Sequence, residues 1–329
     1  MLHSEGLILM NELDMNNVSM NNENMNEITR QLLEMVSDFK GDFKGAFNIR
    51  EDGKCAGRMS SKNIKISSKQ DKPGLDITIA PDTKGETVYI PACVTKSGVD
   101  DLVYNDFFVG ENADVVIVAG CGVHSEGHEE ARHNGIHRFF LEEGARVKYL
   151  EKHVGTGGGD GSRVIDPVTD CHLKKNSYLE MDTSQISGVD HTIRRTTATC
   201  DAGARLVIRE RLFTDGNEKA ETYFQVDLNG EGSGADIVSR SVAKGHSWQN
   251  YESTIVGNAP CTGHSECDAI IDDTAVVDAS PRLFARDKDA SLIHEAAIGK
   301  IAGEQILKFR TLGLTEEEAE QKIIEGFLA

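Results

Sequence analysis

The chain has 329 residues, enough to bury a sizeable core without disulfide or metal staples. Its formal net charge of −19 argues against nucleic acid, whose phosphates are met by clustered Lys and Arg. No run approaches the ~18 apolar residues of a membrane helix, and seven cysteines without a CxxC read as reduced thiols of a cytoplasmic protein.

Residues 1–24 are Asn/Met-rich and aperiodic, and read as a disordered tail. The apolar run at 7–10 is too short, and lacks the basic flank, for a signal peptide. From 25 to 39, "MNEITRQLLEMVSDF" sets Ile28, Leu32, Met35, Val36 and Phe39 at helical spacing, with Gly41 and Gly45 beyond. An N-terminal helical segment is therefore expected at 25–50.

Short alternating runs follow. In "GLDITIAP", Leu75, Ile77 and Ile79 alternate with Asp76 and Thr78, and in "ETVYIPACV", Val88, Ile90 and Ala92 share a face. In "RLVIRERLF", Leu206, Ile208 and Leu212 oppose Arg205, Arg209 and Arg211. Period two bounded by Gly, Asp and Asn means half-buried strands. A weak repeat accompanies them, with a small turn motif before Ala113, Ala145, Ala204, Ala235 and Ala290, at one or two units of about thirty residues. A β-sandwich would also give short strands but has no reason to keep a turn signature. The fold expected over 51–290 is an all-β core, a parallel β-helix.

At 291–329 "SLIHEAAIGKIAGEQILKFRTLG" reads as helix ending near Gly313, and Thr315 and Glu318 have the spacing of a capping box for a second helix. Two such helices would either cap the solenoid's open edge or form a docking surface.

Three stretches invite chemistry. Cys121, His124, His128, His133 and His137 crowd into "GCGVHSEGHEEARHNGIH"; paired at four-residue spacing they would bind metal if helical, but Gly122, Gly127 and Gly135 favour a polar loop. "GTGGGDG" at 155–161 lacks the Lys-Ser/Thr of a phosphate loop and reads as a turn, so any ATP is expected on another subunit. No GxSxG elbow marks a hydrolase, and one Trp and six Tyr offer few platforms for polysaccharide.

The third is "GHSECDAII". Cys267 could be a metal ligand, a nucleophile or an apolar filler, and His294 and Glu295 follow it by close to one coil. Stacking of successive coils would bring the thiol near one of them. Adjacent strand residues face opposite ways, so only one can share its face.

"NAPCTGHSECDAIIDD", "LIHEAAIGKIAGEQILKFRTLGLTEEEAEQKIIEGFL" and "SRSVAKGHSWQN" resemble the SufB/SufD family of the SUF iron–sulfur assembly system, in its short, single-gene form. The resemblance implies a right-handed parallel β-helix flanked by helices. It further implies a homodimer carrying a SufC-like ABC ATPase on the C-terminal helices. Cys267 matches a cysteine that accepts sulfur and holds a nascent cluster, Glu295 a required glutamate, and His294 the position of an essential histidine. The cofactor expected is a transient iron–sulfur cluster, with no nucleotide on this chain; the partners are a sulfur donor and acceptor apoproteins. Such a chain would be a scaffold rather than an enzyme. Cys261, His264, Cys121, His124, His128, His133 and His137 stand as further candidate ligands. The alternatives are a metal-dependent enzyme built on Cys121 and the histidines of 124–137, or a structural platform for the ATPase.

Overall fold

The computed structural model describes Asn17 and residues 25–329. The tail expected at 1–24 lies, Asn17 apart, outside the described residues. Helix α1, Glu27–Ser37, is capped by Asn26, whose side chain accepts from the Ile28 amide at 3.0 Å. It is shorter than the apolar spacing predicts. Asp38 takes a left-handed conformation (φ 52°) that ends the helix, and Phe39 is buried beyond it. Leu33 rather than Met35 joins Leu32 and Val36 on the buried face; Met35 is 42% exposed.

Two hairpins come next, β1 (Ala46–Glu51) with β2 (Lys54–Met59) and β3 (Ile64–Ser68) with β4 (Gly74–Ile79). After β5 (Lys84–Tyr89) and β6 (Ala92–Val94) the chain winds as a solenoid of about eight coils. One strand of each coil joins sheet A and the next joins sheet B. Sheet A continues through β8 (Asp114–His124), β10 (Arg146–Thr156), β13 (Tyr178–Ser187), β15 (Arg205–Thr214), β17 (Gly234–Ala243), β19 (Thr262–Ile271) and β21 (Ser291–Gly299). Sheet B holds β7 (Asp100–Val109), β9 (Ala131–Leu141), the short β11 (Arg163–Ile165) and β12 (Val168–Leu173), then β14 (His191–Cys200), β16 (Lys219–Leu228), β18 (Trp248–Gly257) and β20 (Val276–Ala285). All coil-to-coil pairings are parallel, as the β-helix reading requires.

The β7–β9 coils carry an offset of 32 residues and later ones 27 to 29. The small-residue column at the turn into sheet A is Ala113, Ala145, Ser177, Ala204, Ser233, Cys261 and Ala290, each preceding a residue paired through the ladder. Ala235, read from the sequence as its member, pairs instead with Leu206 inside the strand. Three coils carry Ser or Cys in place of Ala, at Ser177, Ser233 and Cys261, and so lack the alanine signature. Cys261 takes its place in this column, buried against the main core beside Ala290.

Helix α1 lies on the outer face of β8. A Cβ on Gly120 would approach the Val36 carbonyl to 2.5 Å and one on Gly122 would meet Leu32 at 2.8 Å, so close approach of helix to sheet demands glycine at both.

At the other end the chain departs from the sequence reading. Residues 291–299 are strand β21, and helix α2 begins only at Gly303 (Gly303–Thr311). The Ala/Ile-rich composition favours helix, but pairing with β19 along the whole segment overrides propensity. Helix α3, Glu316–Phe327, has the expected capping box of Thr315 and Glu318. Instead of covering β20 and β21 it returns over the outer face of sheet A, where Lys244 donates to Glu320 at 2.9 Å and Ile324 and Leu328 border a groove with Leu150, Ile186 and Phe213. The last coil stays open: Val276, Phe284, Ile293 and Ile298 are exposed. No helix among the described residues is long and apolar enough to cross a membrane.

Candidate functional site

Cys267 sits mid-way along β19 with its side chain inward and 2% exposed. The column it joins runs Glu210, Ser239, Cys267, Ala296 from β15 to β21. The coil offset here is 29 residues, so neither His294 nor Glu295 stacks on the thiol. His294 pairs with Ser265 and Glu295 with Glu266. The expectation that one of the two shares the thiol's face holds for His294: it points inward two positions along the strand, a diagonal neighbour at about 7–8 Å. Burial, helped by the negative charges of Glu210 and Asp268, pushes the Cys267 thiol up to about 12. It is a neutral thiol at neutral pH. His294 is half-buried, and its Nδ1 is enclosed without a hydrogen-bond partner.

Glu295 projects from the other side of the sheet. There the His264 Nε2 lies 3.7 Å from a Glu295 oxygen, and the His264 Nδ1 is 2.8 Å from Asp236. Ligand atoms of His264, Glu266 and Glu295 all fall within 4.8 Å of one another. The hydrogen bond to Asp236 raises the His264 imidazole above its ordinary value. Burial alone would raise the Asp236 carboxyl, but hydrogen bonds from His264 and Arg209 outweigh it and hold it low. Glu266 and Asp236 escaped the sequence reading. Period two along β19 puts Glu266 on the face of His264, and that signal could have found it.

The histidine-rich stretch is strand rather than helix, and its members have separate partners. Cys121 is buried on β8. His124 Nδ1 meets Thr156 at 2.9 Å, and exposed His128 meets Asp160. His133 and His137 point into the solenoid from β9. His133 bonds Asp101, itself clamped by Arg50, and His137 lies between Asn105 and the Tyr149 hydroxyl. None of the five belongs to a metal-ligating group among the described residues.

His137 instead heads a buried polar chain. Asn105 donates to His137 Nε2, so His137 Nδ1 donates to Tyr149 at 2.8 Å, and Tyr149 donates to Glu151 at 2.7 Å. Arg194 donates to Glu151 at 2.7 Å and lies 3.4 Å from Glu210. Glu210 accepts from Thr222 at 3.1 Å and from Ser239 at 2.7 Å. The chain ends one rung short of Cys267.

Residues 104–327 match the family described as SUF system FeS cluster assembly, SufBD core domain. The chain belongs to this family. The match begins within β7 and runs through α3, taking in Cys267, His294 and Glu295. An iron-sulfur cluster assembly SufBD family protein of Methanothermobacter thermautotrophicus is 31% identical over 239 residues, covering 70% of this chain and 56% of the relative. One of Archaeoglobus fulgidus is 27% identical over 267 residues, covering 80% and 70%. One of Pyrococcus horikoshii is 26% identical over 285 residues, 84% of each chain. The chain thus spans 56% and 60% of the length of its two Methanothermobacter relatives. Membership links the SufBD chain to iron–sulfur cluster assembly.

Proposed function

We propose that this SufBD chain is a scaffold on which an iron–sulfur cluster is built, with Cys267 as its thiolate ligand and His294 as a neighbouring imidazole. The observation that carries the reading is the pairing of an inward thiol with an imidazole whose buried Nδ1 has no partner, at the open end of the solenoid. Clusters need thiolate, and His substitutes for Cys where binding is to be weaker or the potential higher. A scaffold must release what it builds, so mixed ligation suits it. Glu295, on the opposite face, serves iron rather than sharing the thiol's pocket.

Forming a Cys267–iron bond releases the thiol proton, and with that proton held up to about 12 the closed site resists loading. A persulfide donor would transfer its outer sulfur to Cys267, leaving the donor as a thiol and Cys267 as a persulfide. Both steps need access through the last coil. The apolar side chains of β20 and β21 suit a second copy of the chain, and α2, with no buried residue, with Leu307 61% exposed and with Leu312 just beyond it 77% exposed, suits a SufC-like ABC ATPase. ATP hydrolysis there, in trans, would open and close the site. On this reading the chain is cytoplasmic, binds no nucleotide, is not itself an enzyme and passes its cluster to apoproteins. The remaining ligand candidates, Cys261, Cys121, His124, His128, His133 and His137, support the coil rather than the cluster. The domain division is a 25–50 support, a 51–290 core and a 291–329 docking end that opens with strand β21.

Anaerobic reconstitution with iron and sulfide, read by absorbance and Mössbauer spectra, tests this. Wild type is expected to hold a cluster that Cys267→Ser loses. An unchanged cluster in the variant would overturn the assignment.

A further inference from the structure

We propose that His264, Glu266 and Glu295 form a divalent-cation site on the outer face of sheet A, separated by the sheet itself from the Cys267 thiol. That the ion is ferrous iron rests on the scaffold reading; the ligand set does not.

Three strands build the site. Period two along β19 turns His264 and Glu266 outward while Ser265 and Cys267 turn in. The register with β21 sets Glu295 directly beside Glu266, and the register with β17 sets Asp236 beside His264. Asp236 holds Nδ1 at 2.8 Å, which leaves Nε2 facing the carboxylates, 3.7 Å from Glu295. A carboxylate behind a ligating histidine fixes its tautomer and orientation, as around many bound metals. Neither glutamate is paired with a lysine or arginine among the described residues, although Arg240 borders the same groove, and two carboxylates and an imidazole converge within 4.8 Å. A divalent cation would satisfy all three donors at once, which a single arginine at the groove's edge does not. The nearby Arg209 and Arg211 are already engaged by Asp236 and Asp182.

The donor set is nitrogen and oxygen only, which suits ferrous, manganous or zinc ions rather than a soft thiophilic one. Iron would wait outside the sheet and sulfur inside it. The strand pair β19–β21 supplies both, since Glu295 and His294 are neighbours that point to opposite faces.

The test is an anaerobic titration of the metal-free full chain with Co(II) alone. Wild type is expected to bind Co(II) with visible ligand-field bands and no thiolate charge transfer in the near ultraviolet. His264→Gln and Glu266→Gln should each weaken binding by about tenfold or more, and Asp236→Asn by about tenfold. Cys267→Ser should leave it unchanged. The substituted side chains are outward, and far-ultraviolet circular dichroism checks the fold. Affinity unaffected by His264→Gln and Glu266→Gln would overturn the site, as would thiolate charge transfer that disappears in Cys267→Ser. Reconstitution of Cys267→Ser decides the scaffold reading separately, so the failure of one is distinguishable from the failure of the other.

Discussion

The middle coils and the last coil use the same architecture with opposite results. Between β9 and β17 the interior is closed, and its charged groups are matched: Arg194 stands between Glu151 and Glu210, and Thr222 and Ser239 take up the oxygens of Glu210. In the last coil the inward positions are half-open and the His294 Nδ1 is left without a partner. Buried polar groups are costly unless satisfied. An orphaned atom does not by itself separate the two regions, since the buried His153 Nε2, Thr183 Oγ1 and Thr196 Oγ1 of the middle coils also lack a partner. What sets the last coil apart is that its imidazole is half-open and shares a face with a thiol.

Substitution can break this contrast. Arg194→Met would leave two buried carboxylates unpaired and should cost about 3–5 kcal/mol, seen as a lower urea midpoint. A loss below about 1 kcal/mol would mean that the network is wet and loosely coupled. Acid is a gentler probe. Burial lowers His137 from 6.5 to about 4, so between those values the unfolded chain binds a proton that the folded one does not. Stability is full above pH 6.5 and falls by about 3 kcal/mol as pH drops toward 4. Burial lowers His153 too and adds to the trend, whereas Glu210, raised by its burial, opposes it. Urea midpoints measured across this window should fall more steeply for wild type than for His137→Gln; equal slopes would remove His137 as the cause. The smallest effect on stability belongs to the open end. His294→Ala removes a group with an orphaned atom and should shift stability by no more than about 0.5 kcal/mol, while shortening the lifetime of a reconstituted cluster. Strong destabilisation with an unaltered cluster would make His294 a structural residue.

Much of this was legible in the sequence. Alternation at Leu75–Ile79 and Leu206–Leu212 marked strands, the capping box at Thr315 marked α3, and the motif around Cys267 marked the family. Coil-to-coil register was not, because turn loops change the offset from 32 to 27 and back to 29, and a slip of one or two residues moves Cys267 from Ala296 to Glu295 or His294. The interior network was hidden for a different reason. Charged residues default to the surface, and nothing in composition or motif singles out Glu151 or Arg194 as partners across the core. Period two does mark Glu210, on the face of Leu206, Ile208 and Leu212, and Glu151, on that of Val147 and Tyr149. Strand β21 was misread because its pairing comes from a neighbour that local propensity does not see.

The return of α3 across sheet A has a mechanical meaning. The terminal residue Ala329 borders the same groove as Arg240, His264 and Glu266, while α2, the exposed arm, is joined to α3 by a short link. The pair thus joins an arm in solvent to a residue that lies against the outward faces of His264 and Glu266. One helical turn is about 5 Å, so whatever holds α2 also sets, through α3, where Ala329 lies along that groove.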